Sequence, residues 1–292
     1  MDKETMNKAE ILIEALPYIK QFNGKTFVIK YGGSVMENEA LKLKFIEDVA
    51  LLKLVGINIV IVHGGGKRIN GMLDRVDLDV QFIQGQRVTD EKVMDIVEMV
   101  LSGSVNKELS ATLSGHGIKA IGLSGRDSRL LTAEKKYAAG EDGSPLDLGN
   151  VGTITEVNTD ILNSLLEADF VPIISPVACG KNGERFNVNA DTAAGAVSGA
   201  LNAAKLILLS DVKGLYKDIN DEDSFISSID IETTEKYMKE GVINGGMIPK
   251  MNCCVDALRR GTDQVAIIDG RIEHNLLVEL FTRAGSGTMV TK

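Results

Sequence analysis

Lys30 follows the apolar run Phe27-Val-Ile and is succeeded at once by Tyr31, Gly32 and Gly33. A cation next to two residues without a Cβ can bring an ammonium group and unhindered backbone amides against phosphate oxygens. The pattern recurs further on, where the buried-strand run Ile57-Asn-Ile-Val-Ile-Val62 leads without a gap into His63-Gly64-Gly65-Gly66-Lys67. Three successive glycines cost more backbone entropy than a turn alone requires, so the functional reading is an anion or reacting oxygen at the next helix N-terminus. Taken singly, the Lys30 motif fits a tight βα turn with a solvated lysine equally well. Two phosphate-sized cradles on one sheet point to phosphoryl transfer, in which donor and acceptor must both be held.

Four further segments carry chemistry. Asn187-Val-Asn189-Ala-Asp191 sets two amides and a carboxylate ahead of a helix of small residues; Asp191 suits either an N-cap or a polar binding site. Gly85-Gln-Arg87-Val-Thr89-Asp90 puts an arginine just before a capped helix. There its planar fork can grip a carboxylate, although read alone it is an ordinary surface arginine. Gly245-Gly246-Met-Ile-Pro-Lys250 again joins flexible backbone to a lysine near a helix start, a place the helix dipole disfavours unless an anion is close. Leu209-Ser-Asp211-Val-Lys213-Gly-Leu-Tyr216 ends a buried strand in polar residues, as a nucleotide base or ribose would need, or a plain strand-terminal turn. Neither the P-loop spacing nor the Gly-x-Gly-x-x-Gly fingerprint occurs.

These residues need a scaffold, and the sequence describes one. Strand-like runs at 27–31, 57–62, 118–123, 171–174, 206–210 and 264–268 alternate with helical periods at 39–55, 90–101, 159–168, 191–201, 233–239 and 249–260. Such alternation predicts an α/β protein, an open three-layer αβα sandwich on a mostly parallel sheet. Between Arg129 and Glu156, short runs broken by Gly140, Gly143, Pro145 and Gly149 predict β-hairpins at the rim of a pocket. The stretch 175–183 is the best lobe boundary. Ahead of the first strand, Ala9, Leu12, Ile13, Leu16 and Ile19 share one helical face, which Pro17 should kink or break. That face packs either on another subunit or on its own core.

With 292 residues and 44% hydrophobic content the chain can bury a full core. Its 41 acidic against 32 basic residues leave a formal charge of −9, which argues against general nucleic-acid or membrane-surface binding. Cys179, Cys253 and Cys254 form neither a disulfide framework nor a zinc spacing, and no metal site is expected. The start Met1-Asp-Lys-Glu-Thr lacks a signal pattern and no apolar run reaches bilayer length, so a cytoplasmic protein is expected.

In this order the motifs resemble the amino acid kinase superfamily from about Ala15 to the C-terminus, most closely its branch acting on an acylated amino acid. The resemblance implies transfer of the γ-phosphoryl group of MgATP to the side-chain carboxylate of N-acetyl-L-glutamate, a step of arginine biosynthesis. It implies three units: an N-terminal helix over 1–24, an acylamino-acid lobe over 25–175 and an ATP lobe over 176–292. Lys30 and Lys250 would then stabilise the transition state, with Asp191 orienting both. Gly65, Gly66, Arg87, Asn187 and Asn189 would hold the acceptor, and Gly32, Gly33, Gly64, Asp211, Tyr216 and Asn244 the nucleotide. The N-terminal extension and the tail His274-Asn-Leu-Leu-Val-Glu279 to Gly285-Ser-Gly-Thr resemble the arginine-inhibited type, a dimer or a hexamer built as a trimer of dimers. On that reading Tyr18, Lys205, His274, Glu279 and Gly285 surround an inhibitory arginine, and a PII-type signalling protein is a possible partner. Alternatives are a kinase of carrier-protein-linked aminoadipate or glutamate, or a catalytically silent effector-binding protein; an oxidoreductase lacks its fingerprint.

Overall fold

The computed structural model describes residues 3–140 and 142–292, except for the side chains of residues 3–9 and of Ser34. Met1 and Asp2, which open the stretch read for a signal, lie outside the described residues, and so does the Ala9 side chain of the apolar face. Along the chain run α1 (Lys3–Phe22), β1 (Thr26–Tyr31), α2 (Glu39–Leu54), β2 (Asn58–His63), α3 (Gly66–Arg75), the short pair β3 (Phe82–Ile83) and β4 (Gln86–Arg87), and α4 (Glu91–Glu98). A π-helical segment (Met99–Val105) joins α4 to α5 (Asn106–Gly115), and β5 (Ala120–Ser124) follows. Next come the hairpin β6 (Leu131–Ala139) and β7 (Pro145–Val157), α6 (Asp160–Glu167), β8 (Val171–Ser175), β9 (Val177–Cys179), β10 (Arg185–Asn187) and α7 (Ala190–Ala200). The remainder is β11 (Lys205–Ser210), β12 (Leu215–Tyr216), β13 (Phe225–Ile226), β14 (Ser228–Asp230), α8 (Ile231–Lys239), α9 (Met247–Arg260), β15 (Gln264–Asp269), α10 (Asn275–Phe281) and β16 (Thr288–Thr291).

Eight strands form one sheet in the order β14-β16-β15-β11-β1-β2-β8-β5, parallel except where β15 meets β16. All six strand-like runs of the sequence lie in it. Period-two alternation sends Val28, Val60, Val62, Leu206 and Leu208 to one face, where α6, α7 and α9 cover them. Phe27, Ile29, Ile59, Ile61 and Ile207 go to the other face, under α2, α5 and α10. Burial on both faces explains why these strands read as continuous apolar runs, and the result is the expected three-layer sandwich. Strands from 25–175 make one half of the sheet and strands from 176–292 the other.

Several local expectations change. The hairpin region is one long antiparallel pair, β6 and β7, which closes with β9 and β10 into a small barrel. The stretch 175–183 contains β9, because Val177, Ala178 and Cys179 are apolar enough to be buried there. The helix expected to end near Leu101 instead continues through the π-helical segment into α5. Pro17 does not break α1, which is continuous over Lys3–Phe22. A proline there removes one hydrogen bond, that to the Ile13 carbonyl, while the turns on either side keep theirs. On the apolar face of α1, Leu12 and Ile13 are more than half exposed and Leu16 is exposed as well. Among the described side chains its last turns pack down, Phe22 meeting Phe27 edge to face at 5.1 Å.

Candidate active site

Parallel strands present their carboxyl ends to one edge of a sheet, and the loops leaving that edge frame a crevice. Here β1 delivers Lys30, while the first turns of α7 and α9 bring Asp191 and Lys250 to the same point. Lys30 Nζ lies 3.0 Å from Asp191 Oδ1 and Lys250 Nζ 3.3 Å from Asp191 Oδ2. The Asp191 side chain is 15% exposed. Burial pushes its carboxyl up, but the two lysines outweigh burial and hold it below the usual carboxylate range. Oδ1 is within ion-pair distance of Lys30 yet accepts no well-directed hydrogen bond. The ion pair decides the electrostatics, since Coulomb attraction does not require a directed proton.

The sequence left Asp191 as either cap or ligand, and the structure gives the cap to Asn189. Its Oδ1 accepts from the N–H groups of Asp191 and Thr192 at 2.9 and 3.1 Å. Asp191 is therefore free to face the lysines, and the Asn189 side chain is occupied by its own helix.

On the far side of Lys30 and Lys250 opens a cleft of about 720 Å³, lined by Gly33, Asp211, Tyr216, Asn244 and Met247 among others. Gly33 sits at φ +68°, and a Cβ there would lie 3.0 Å from Asp211 Oδ1, so this close turn needs glycine. Gly32 and Gly64, grouped with the nucleotide residues on sequence, do not line this cleft. Gly64 belongs to a second cleft of about 260 Å³, with Gly65, Gly66, Arg87, Asn187 and Asn189. The strand order explains the difference, because β2 and β11 leave the sheet on opposite sides of β1.

In the smaller cleft Arg87 is buried and held from several directions. Its Nη2 donates to Asn70 Oδ1 at 2.5 Å and to the Gly66 carbonyl at 3.3 Å, and its guanidinium lies 4.8 Å from the centre of the Phe82 ring. Burial lowers its pKa, but a guanidinium remains charged. Asn187 Nδ2 donates to Thr89 Oγ1 at 3.3 Å, tying β10 to the turn before α4. Ile69, Leu101, Val151 and Val188 complete an apolar wall opposite these polar groups. Sequence reading missed Asn70, whose helical spacing from Gly66 on a short polar helix was the available signal. It also missed Asn106, an amide on the apolar face shared by Leu109 and Leu113.

A third cleft, about 350 Å³, lies between α1 and α10 and contains Tyr18, Lys205, Glu279 and Gly285. Lys205 Nζ is 3.3 Å from Glu279 Oε1 with both side chains buried. Burial lowers the lysine pKa, and Glu279 opposes the shift. His274 is not part of this group. Its Nδ1 lies 2.5 Å from Asp48 Oδ1 and its Nε2 3.6 Å from Glu47 Oε2, both on α2. His274 is the N-cap of α10 with left-handed backbone at φ 55°, so its side chain leaves in a different direction from that of Glu279 within the helix. Burial pushes the Asp48 carboxyl up to about 6, against the pull of His274. His116 hydrogen-bonds the Thr112 carbonyl at 2.8 Å. Among the described residues no three His, Cys, Asp or Glu side chains converge as metal ligands, and no helix is long and apolar enough to cross a membrane.

Residues 25–269 match the amino acid kinase family. A protein of Heliobacterium modesticaldum named acetylglutamate kinase is 52% identical over 293 residues, covering 99% of this chain and 99% of that one. The chain belongs to the acetylglutamate kinase family. Another member, from Thermoanaerobacter pseudethanolicus, is 51% identical over 98% of this chain and 93% of its own. Among solved structures, N-acetylglutamate synthase from Neisseria gonorrhoeae complexed with coenzyme A and N-acetyl-glutamate superposes with a TM-score of 0.82 at 26% identity. That match covers 97% of this chain, which spans 63% of the synthase. Carbamate kinase from Giardia lamblia bound to AMP-PNP shares the fold, with a TM-score of 0.64 at 14% identity over 92% of this chain and 99% of that one. Membership of the acetylglutamate kinase family thus rests on nearly full-length similarity.

Proposed function

We infer that the two clefts flanking Asp191 serve one reaction. As an acetylglutamate kinase, the protein transfers the γ-phosphoryl group of ATP to the side-chain carboxylate of N-acetyl-L-glutamate, giving N-acetyl-L-glutamyl 5-phosphate for arginine biosynthesis. A carboxylate oxygen forms a bond to Pγ while the bond from Pγ to the β,γ-bridging oxygen breaks, and ADP leaves. The acceptor is ionised at neutral pH, so no general base is needed. What remains is alignment and neutralisation of charge on the moving phosphoryl group.

The observation that carries this reading is the ion-paired trio at the junction of the clefts, with Lys30 and Lys250 within 3.0 and 3.3 Å of opposite oxygens of Asp191. Asp191 holds the two ammonium groups apart, both at the edge of the larger cleft, where they can neutralise charge on the transferred phosphoryl group. In this account the larger cleft takes the nucleotide on Gly33, Asp211, Tyr216 and Asn244. Mg²⁺ arrives with ATP, held mainly by its phosphates. The smaller cleft takes the acceptor, its α-carboxylate on Arg87, its amide near Asn187 and its reacting carboxylate at Gly65 and Gly66. Residues 25–175 and 176–292 act as two lobes meeting along β1 and β11. An acyl phosphate product is directly testable: hydroxylamine added to the reaction should trap a hydroxamate in step with ADP. ADP release without hydroxamate would reject the carboxylate as acceptor.

Regulation follows the third cleft. Lys205 and Glu279, ion-paired at 3.3 Å, bring one charge of each sign to a cleft that α1 also lines, and on this reading Tyr18, Lys205, Glu279 and Gly285 bind arginine as feedback inhibitor. The open apolar face of α1 joins copies of the chain into dimers or hexamers. Three buried free thiols suit a reducing cytoplasm. Turnover unchanged by millimolar arginine would remove the inhibitor site and leave the kinase.

A further inference from the structure

Behind the glycine loop of the smaller cleft lies a polar chain that the reaction itself does not use. His63, the last residue of β2, is fully buried, and its Nδ1 is 2.8 Å from the Gly64 carbonyl. A carbonyl only accepts, so Nδ1 carries the proton. His63 Nε2 is then an acceptor, and Asn106 Nδ2 donates to it at 3.1 Å. The same nitrogen lies 2.9 Å from the carbonyl of Ile173 on β8 and 3.2 Å from that of Leu123 on β5, so its two N–H groups are shared among three acceptors. Both ends of Gly64 are fixed, because its N–H donates to the Tyr31 carbonyl at 2.8 Å.

The π-helical segment places Asn106 there. One extra residue in the turn shifts register, a feature that recurs at functional sites. It brings Leu101 and Val105 against Gly65, where a Cβ would lie 2.6 Å from Leu101 Cδ2, and sets Asn106 under His63.

We propose that Asn106 is a positioning residue, which holds His63 as its neutral Nδ1–H tautomer so that His63 pins the Gly64 carbonyl and keeps Gly65 and Gly66 turned toward the acceptor. The proposal rests on the acetylglutamate kinase reading of the smaller cleft. Protonated His63 would set a second N–H against the Asn106 amide, and burial already holds its pKa down at about 4.

The test joins spectroscopy to kinetics on the full chain. With three histidines in the sequence, the nitrogen-15 imidazole signals of His63 can be assigned by comparison with His116→Gln and His274→Gln variants. Wild-type protein at pH 7 should show a protonated Nδ1 and a bare Nε2 at His63. In Asn106→Asp the introduced carboxylate demands a proton on Nε2, so the pattern should invert or become imidazolium. The KM for N-acetyl-L-glutamate should rise on the order of tenfold, with the KM for ATP unchanged. A wild-type His63 protonated on Nε2 would overturn the proposal without any variant. So would an Asn106→Asp enzyme with an unaltered acceptor KM, or one in which both KM values move together. Absence of any turnover by wild type would reject the kinase reading instead, and the tautomer measurement keeps the two failures apart.

Discussion

Lys30, Lys250 and Asp191 show how much one carboxylate can organise. Each lysine alone beside a phosphate is a mobile point charge; paired across Asp191, both are fixed before substrate arrives. Lys30→Ala or Lys250→Ala should each lower kcat by roughly 10²-fold, as loss of one preorganised electrostatic group does. Steady-state kinetics with saturating ATP and acceptor measures this, and a variant with near-normal kcat would remove that lysine from the step. His63 makes a prediction about stability. Its folded pKa of about 4 lies below the ordinary 6.5, so between those values the unfolded chain binds more protons than the folded one. Stability is therefore lost as pH falls from 6.5 toward 4, by up to about 3 kcal/mol for the full shift. Asp48, raised to about 6, works in the opposite sense across the same range. Denaturant unfolding of wild type and His63→Asn at pH 6.5 and 4.5 isolates the histidine, because Asp48 is common to both. Equal pH dependence in the two proteins would contradict the neutral, buried imidazole.

Elements decide which motif residues reach the site. Sequence made Lys30, Asp191 and Lys250 conspicuous because charged residues beside glycines or helix starts are chemically unusual there. It could not say that Asn189 rather than Asp191 caps α7, since both residue types cap equally well and only the helix start distinguishes them. Nor could it show that Gly64 and Gly33 line different clefts, which depends on the order of strands in the sheet. His274 and Glu279 looked like one cluster because they are close in sequence, yet His274, the left-handed N-cap of α10, pairs with Asp48 on α2, while Glu279 within α10 pairs with Lys205 on β11. The six core strands were legible from their apolar runs, whereas the π-helical turn was not, because Ser102-Gly103-Ser104 within Met99–Val105 reads as the end of a helix rather than its continuation. Asn189→Ala should cost about 1 kcal/mol of unfolding free energy through the lost cap. It should also lower kcat by loosening the turn that carries Asp191. A variant as stable as wild type would show that the two hydrogen bonds to Asn189 Oδ1 are not limiting.

At the scale of the whole molecule, one sheet connects three clefts. β11 runs from Lys205, in the cleft beside α1, to Ser210, in the larger cleft beside Lys30, so a single strand spans the two. Beyond the sheet, α1 presents Leu12, Ile13 and Leu16 to solvent on one face, which a second copy would cover. A chain lacking residues 1–24 should therefore elute at a lower mass than the full chain while retaining turnover. An unchanged elution volume would place the contact between copies elsewhere. Central to the account is the pairing of a nucleotide cleft with an acceptor cleft across Asp191, and acceptor choice probes it most directly. ADP release from MgATP, measured with N-acetyl-L-glutamate, L-glutamate, L-aspartate and L-2-aminoadipate in turn, should be fast with the first and slight with the others. Comparable turnover with glutamate, or none with acetylglutamate, would contradict the assignment of the smaller cleft.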